Sequence, residues 1–325
     1  MIKELIFTYF KPMDFYQPHA TLAGWGETLV QTICSDHNLA PEELGITWLV
    51  YGGGVRVNTG GALDPQTFWQ QRPWGWSHRG EVNVYPASLV KLFYLVAVHE
   101  WLERAMIPPE PEIDRALTDM IQDSSNDATG YVMDVLTGTT SGPDLAPGPF
   151  STWQYQRNLV NRYFQSWQWP EFGGINLNQK TWCDGPYGRE RAFLGSHREN
   201  HNRLNPLAVA RLFHAILGGI AVSARRSQQM LDLCRRSLVP ADYHHNPENQ
   251  VQGFLGEGLP AGGKFWSKAG HTSQVRHDCA YVEWGDQQAY LLVVFTVGAA
   301  QSRNAKLLPD LSRWVYERLN QEPLS

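Results

Sequence analysis

Cysteine is scarce in this chain of 325 residues, and the four present (Cys34, Cys183, Cys234, Cys279) form no CxxC pair. Neither a disulfide framework nor a thiolate zinc knot therefore organises the fold, and the thiols are expected reduced. An excess of one charge is also lacking. The 27 Lys+Arg stand against 32 Asp+Glu, a net charge of −5 without a basic run. Such a balance gives no electrostatic footing for nucleic acid. No apolar run approaches the length of a membrane span, so no membrane partner is expected. The first residues do not read as a secretory signal: Glu4 and Lys11 interrupt them, and no small-residue cleavage site follows. A cytoplasmic location is the expectation that goes with this. Internal repeats and low-complexity tracts are missing as well.

What is present can bury a large core. Hydrophobic residues make up 42% and charged residues 18%, which suits one large domain or two intimate ones. We read a single domain over 1–325, with an α/β lobe at about 20–85 and 240–320 and a helical lobe at about 86–239. The 13 Trp, 13 Tyr and 13 Phe are expected mostly to fill or cover that core. Leu22, Trp25, Leu29 and Ile33 fall at helical spacing and predict a helix over about 20–38. Residues 45–51 read as a strand, 55–58 as a second short one, and 59–83 as a Gly-, Pro- and Trp-rich excursion. The segment from Ser88 to Arg104 is apolar almost all round, which predicts a buried central helix. Further helices are expected around 117–136, 151–168, 206–218 and 224–237. Strands are expected at 264–268, 279–284 and 289–297, and an amphipathic helix closes the chain. Strands at both ends with helices between them predict a sheet assembled from sequence-distant pieces beside a helical lobe.

Ser88-Leu-Val-Lys91 is the chain's S-x-x-K. On a helix, residues three apart share a face, so the Lys91 amine is within reach of the Ser88 hydroxyl. A serine at its free pKa is a poor nucleophile and needs a neighbouring base. A lysine in a buried helix with other cations nearby becomes neutral enough to serve. Two more elements follow in order. Ser124-Ser-Asn126 lies in an inter-helix loop, and Lys268-Ala-Gly270 on a strand just before a hairpin.

Together these segments resemble the S-x-x-K, S-x-N and K-T-G motifs of class A β-lactamases and related penicillin-binding serine hydrolases. The likeness spans about residues 20–320. It implies an α/β (α+β), β-lactamase/transpeptidase-like fold: an antiparallel sheet flanked by N- and C-terminal helices, plus an all-helical lobe. It also implies roles. Ser88 attacks an acyl carbonyl, Lys91 relays its proton, Ser124 passes a proton to the leaving nitrogen, and Asn126 binds Lys91 and substrate. Lys268 sets a potential favouring an anionic substrate. The Ser88 and His271 N–H groups form the oxyanion hole, His271 being the residue directly after Lys268-Ala-Gly270, and Gly270 belongs with the substrate-binding residues. No cofactor or metal is expected.

Departures from the family pattern are equally visible. Ala269 stands where the family has a hydroxyl that helps hold a substrate carboxylate. The deacylating Glu is expected before Asn205-Pro206. Glu190, in Gly188-Arg-Glu-Arg-Ala-Phe193, is the nearest by spacing, with Glu199 the other candidate, but Leu194 stands where a partner Asn belongs. His197 and His201 form neither H-E-x-x-H nor its inversion, so zinc is not expected there. The resemblance implies a serine hydrolase that forms an acyl-enzyme on a small-molecule or peptide-like amide, lactam or ester; the departures imply slow or negligible β-lactam turnover. A D-amino-acid peptidase or an esterase fits the same motifs. The alternative from another class is a non-catalytic binding module that uses the Trp-rich stretch 67–76.

Overall fold

The computed structural model describes residues 14–52, 64–285 and 289–324. Residues 1–13 and the strand expected at 55–58 lie outside them. Among the described residues one sheet runs in the order β1-β3-β2-β7-β6-β5-β4. Its strands are β1 (Gln17–Pro18), β2 (Leu44–Tyr51), β3 (Trp74–His78), β4 (Arg235–Arg236), β5 (Lys264–His271), β6 (Val275–Glu283) and β7 (Ala289–Val297). All neighbours are antiparallel except the short β1–β3 pair. The excursion expected at 59–83 thus corrects to structure. It supplies helix α2 (Pro65–Gln70) and β3, because Trp74, Trp76 and His78 alternate along β2 as a strand requires.

Two apolar layers sandwich the sheet. On one face Leu292, Val294, Ala280 and Val282 meet helices α1 (Ala20–His37) and α13 (Leu307–Gln321). On the other, Leu291, Val293, Phe295 and Tyr281 meet the helical lobe. Burial on both faces is why 289–297 reads as a continuous apolar run rather than an alternating one. Helix α1 packs tightly on β3 because Gly26 lacks a Cβ, which would otherwise lie 2.3 Å from the Trp76 ring.

Helix α3 (Val90–Glu103) runs through the lobe with Val90 to Leu102 all buried. The helix expected around 117–136 is two, α4 (Pro111–Gln122) and α5 (Asn126–Thr137), broken by Ser124 at φ +58°. Around them lie α6 (Pro147–Arg157), α7 (Leu159–Gln165), α8 (Gly188–Leu194), α9 (Pro206–Leu217) and α10 (Ala224–Cys234); α11 (Pro240–Tyr243) follows β4, and α12 (Ala299–Arg303) packs against β6 and β7. Among the described residues no helix is long and apolar enough to cross a membrane.

Candidate functional site

Ser88 stands where the sheet meets α3. The chain reaches it through a pinned segment: Val84 bridges Leu204, and His277 Nε2 donates to Tyr85 O at 2.9 Å. Ala87 then takes φ +47°, a left-handed conformation that a Cβ disfavours. Strain of this kind costs of order 1–3 kcal/mol and persists where the surroundings over-determine it. Here β5 supplies the constraint. A Cβ at Gly270 would lie 2.9 Å from Pro86 O and 3.0 Å from Ser88 N, so only glycine admits this approach. Ala269 N faces the open edge of β5, and by the two-residue period His271 N faces the same edge. Two backbone donors, at Ser88 and His271, therefore flank the Gly270 contact. The His271 ring turns away from it, with Nε2 3.1 Å from Ser302 O.

Lys91 follows Ser88 by one helical turn and is fully buried. Its amine bonds Ser124 O, Ser124 Oγ at 3.2 Å and Asn126 Oδ1 at 2.9 Å. Burial brings its pKa down to about 7, opposed by Cys183 and Glu248. Lys268, also fully buried, donates to Ser124 Oγ at 2.9 Å, Gln250 Oε1 at 2.6 Å and Ala269 O at 2.8 Å. Burial, then the charges of Lys91 and Arg236, holds its pKa well below the usual lysine value. The Ser124 hydroxyl thus accepts from both amines. None of the acceptors of either amine is a carboxylate. Ser125 caps α5 by accepting from Ala128 N, which sets Asn126 in the first turn facing Lys91.

Glu190, the residue expected as deacylating base, enters a buried ion pair through Oε1, while its Oε2 has no hydrogen-bond partner. It is fully buried and accepts from Arg157 Nη2 at 2.6 Å and Ser141 Oγ at 2.9 Å. Arg157 also faces Asp134, which holds Lys180 at 2.7 Å. The flanking Arg189 and Arg191 are not its partners; a guanidinium from α6 claims the carboxylate instead. Glu199 is exposed and accepts from His197 N at 2.9 Å. His201 stacks on Tyr85 with centroids 4.1 Å apart, and no metal-holding cluster is found among the described residues.

Two residues at the site escaped the motifs. Cys183 Sγ lies 3.4 Å from Asn126 Nδ2, on a segment tied down by hydrogen bonds such as Gln179 N to Asn202 Oδ1 and Asn178 Nδ2 to Asn200 Oδ1. Gln250 reaches Lys268 from a loop. Neither has a spacing signal, because both arrive from segments outside the three motifs.

Comparison with known proteins places this geometry. The sequence model described as the β-lactamase enzyme family matches residues 107–319, about two thirds of the chain. The chain belongs to the β-lactamase enzyme family. The match includes Ser124, Asn126, Lys268 and Gly270 and begins after Ser88 and Lys91. Among solved structures, PBP-A is similar at 17% identity and TM-score 0.59, over 95% of this chain and all of that one. A mutant of PBP-A, solved as an acyl-enzyme complex with penicillin G, has TM-score 0.60 at 17% identity over the same spans. A β-lactamase from Sphaerobacter thermophilus has TM-score 0.59 at 16% identity, over 91% of this chain and 99% of that one. At these identities the structural likeness speaks for the fold. No curated protein sequence matches the chain. Family and fold together make it a hydrolase of the β-lactamase type.

Proposed function

We propose that the protein is a serine acyl-transfer hydrolase that forms an acyl-enzyme at Ser88. The observation that carries this reading is the fully buried Lys91 amine, one helical turn from Ser88, with a pKa of about 7 and only neutral oxygens as hydrogen-bond acceptors. An amine near neutrality takes a hydroxyl proton at physiological pH without a prior cost of deprotonation. Ser88 then attacks a carbonyl whose oxygen is received by the Ser88 and His271 N–H groups, with Gly270 allowing the close approach. Ser124, between the two lysines, returns the proton to the leaving group. Asn126 holds Lys91 and the substrate amide, and burial keeps Lys91 near neutrality.

Glu190 belongs to a buried ion cluster in this reading, so the deacylating water lacks the base the motifs suggested. Acylation then outpaces deacylation, and a long-lived adduct forms on a small-molecule or peptide-like amide, lactam or ester. The test is labelling with an alkyl fluorophosphonate and with a fluorescent penicillin, followed by intact mass and peptide mapping. One stoichiometric adduct on the Ser88 peptide, absent in Ser88→Ala, is expected. Label that persists in Ser88→Ala sinks the reading. A protein that stays unlabelled favours the binding-module alternative.

A further inference from the structure

We infer that the site takes acyl substrates without a carboxylate beside the reacting carbonyl, and that Gln250 sets this preference; the inference rests on the acyl-transfer reading of Ser88. An anionic group next to Ser88 needs donors that are free to receive it, since burying a charge without partners is costly. Of the cations bordering Ser124 and β5, the two lysines have committed theirs and the two arginines only part of theirs. All three N–H bonds of the Lys268 ammonium find protein acceptors: Ser124 Oγ, Gln250 Oε1 and Ala269 O. Lys91 is spent on Ser124 and Asn126. Arg276 donates through Nε to Ser302 O at 2.9 Å and through Nη1 to Gly253 O at 3.1 Å. Its Nη2 meets His271 at 3.3 Å, and the guanidinium lies over the Phe254 ring. Arg236 donates to Ile121 O at 2.6 Å and Leu233 O at 3.4 Å; its Nε has no partner but is itself buried.

Gln250 closes the remaining gap. Its Oε1 accepts from Lys268 Nζ and, at 3.0 Å, from Ala269 N, the backbone donor on the open edge of β5. Its Nε2 donates to Ile121 O and Gln122 O, both at 2.8 Å, at the end of α4. An amide has two donors and two acceptor lone pairs, and here all four are used. The side chain is 5% exposed, so water does not compete for them. A neutral amide oxygen thus occupies the position from which an anionic oxygen would receive both a lysine and a strand N–H. Displacing it forfeits four hydrogen bonds, and the methyl of Ala269 offers no hydroxyl in return.

The experiment compares penicillin G with its methyl ester, each rate of Ser88 acylation being followed by intact mass and corrected for reactivity in water. An alkyl fluorophosphonate reports on Ser88 itself. The ester should acylate the wild-type protein at least about tenfold faster than the free acid, the scale on which one hydrogen bond to a charged group acts. In Gln250→Ala, which releases Lys268 Nζ and Ala269 N, the preference should shrink by a similar factor. Gln250→Glu keeps the acceptors and adds negative charge, and should widen it. Wild-type protein that reacts with the free acid as fast as with the ester, or not at all with the ester while the fluorophosphonate labels Ser88, overturns the inference. Failure of the fluorophosphonate itself overturns the acyl-transfer reading instead.

Discussion

Two buried cation clusters lie in the helical lobe and at its border with the sheet, and they are built on opposite terms. Around Arg157 the cations meet carboxylates, with Glu190 at 2.6 Å and Asp134 shared with Lys180. Around Lys91 and Lys268 they meet hydroxyl, amide and carbonyl oxygens alone. Carboxylates in direct contact favour the charged form of a neighbouring cation, whereas with neutral acceptors desolvation dominates over more distant charges. Burial lowers the Arg157 pKa while Glu190 and Asp134 act against it; Lys91 falls to about 7. One cluster is a fastening, and the other yields a base. Perturbed groups of this second kind are the usual mark of reacting sites.

The comparison breaks most visibly at Lys91. Lys91→Ala should slow Ser88 labelling by about 10²–10⁴-fold, the range for loss of a general base. Single-turnover intact-mass kinetics measures it, and an unchanged rate would return attention to a histidine. In the other cluster, Glu190→Gln should lower unfolding free energy by about 3–5 kcal/mol, since it strands a buried guanidinium. Urea denaturation reads that loss, while labelling of the folded variant should stay within a few-fold of wild type. Replacing both partners, as Arg157→Met with Glu190→Leu, should recover most of it. Unchanged stability together with a longer-lived adduct in Glu190→Gln would make Glu190 the deacylating base after all.

Smaller effects sharpen the contrast. Ser124→Ala removes the hydroxyl shared by the two lysines and should cost less than Lys91→Ala, about 10–100-fold, because water replaces a hydroxyl relay in part. The pH dependence should differ between the clusters too. Labelling should rise as pH passes about 7, where Lys91 loses its proton. The folded pKa lies below the usual lysine value of 10.5, so between about 7 and 10.5 the unfolded chain holds more protons. Lys91 therefore contributes a gain in stability as pH climbs through that window. Lys91→Met should abolish both the kinetic limb and this slope, and Glu190→Gln should leave the limb in place. Labelling rates from pH 5.5 to 9 and denaturation at pH 7 and 9 check the two signs.

The sequence by itself determined what depends on spacing within one element. Helical period set α1 and α13, the all-round apolar run set α3, the continuous apolar run set β7, and the i, i+3 step set Lys91 one helical turn after Ser88. The order of Ser124, Asn126, Lys268 and Gly270 along the chain carried the family. Tertiary packing decided the rest. Lys268 and Ser124 are 144 residues apart, and Gln250 meets the end of α4 across 128 or more. No local pattern encodes such pairs. Glu190 kept the expected interval to Asn205, but its pairing through Oε1 with a guanidinium from α6 is a long-range contact that no interval encodes. Trp74 and Trp76 looked like loop residues among glycines and prolines and became a strand only because β2 offered an edge. Residue type and interval fix which groups share a face, but which acceptor a buried amine finds depends on surfaces brought together from distant segments.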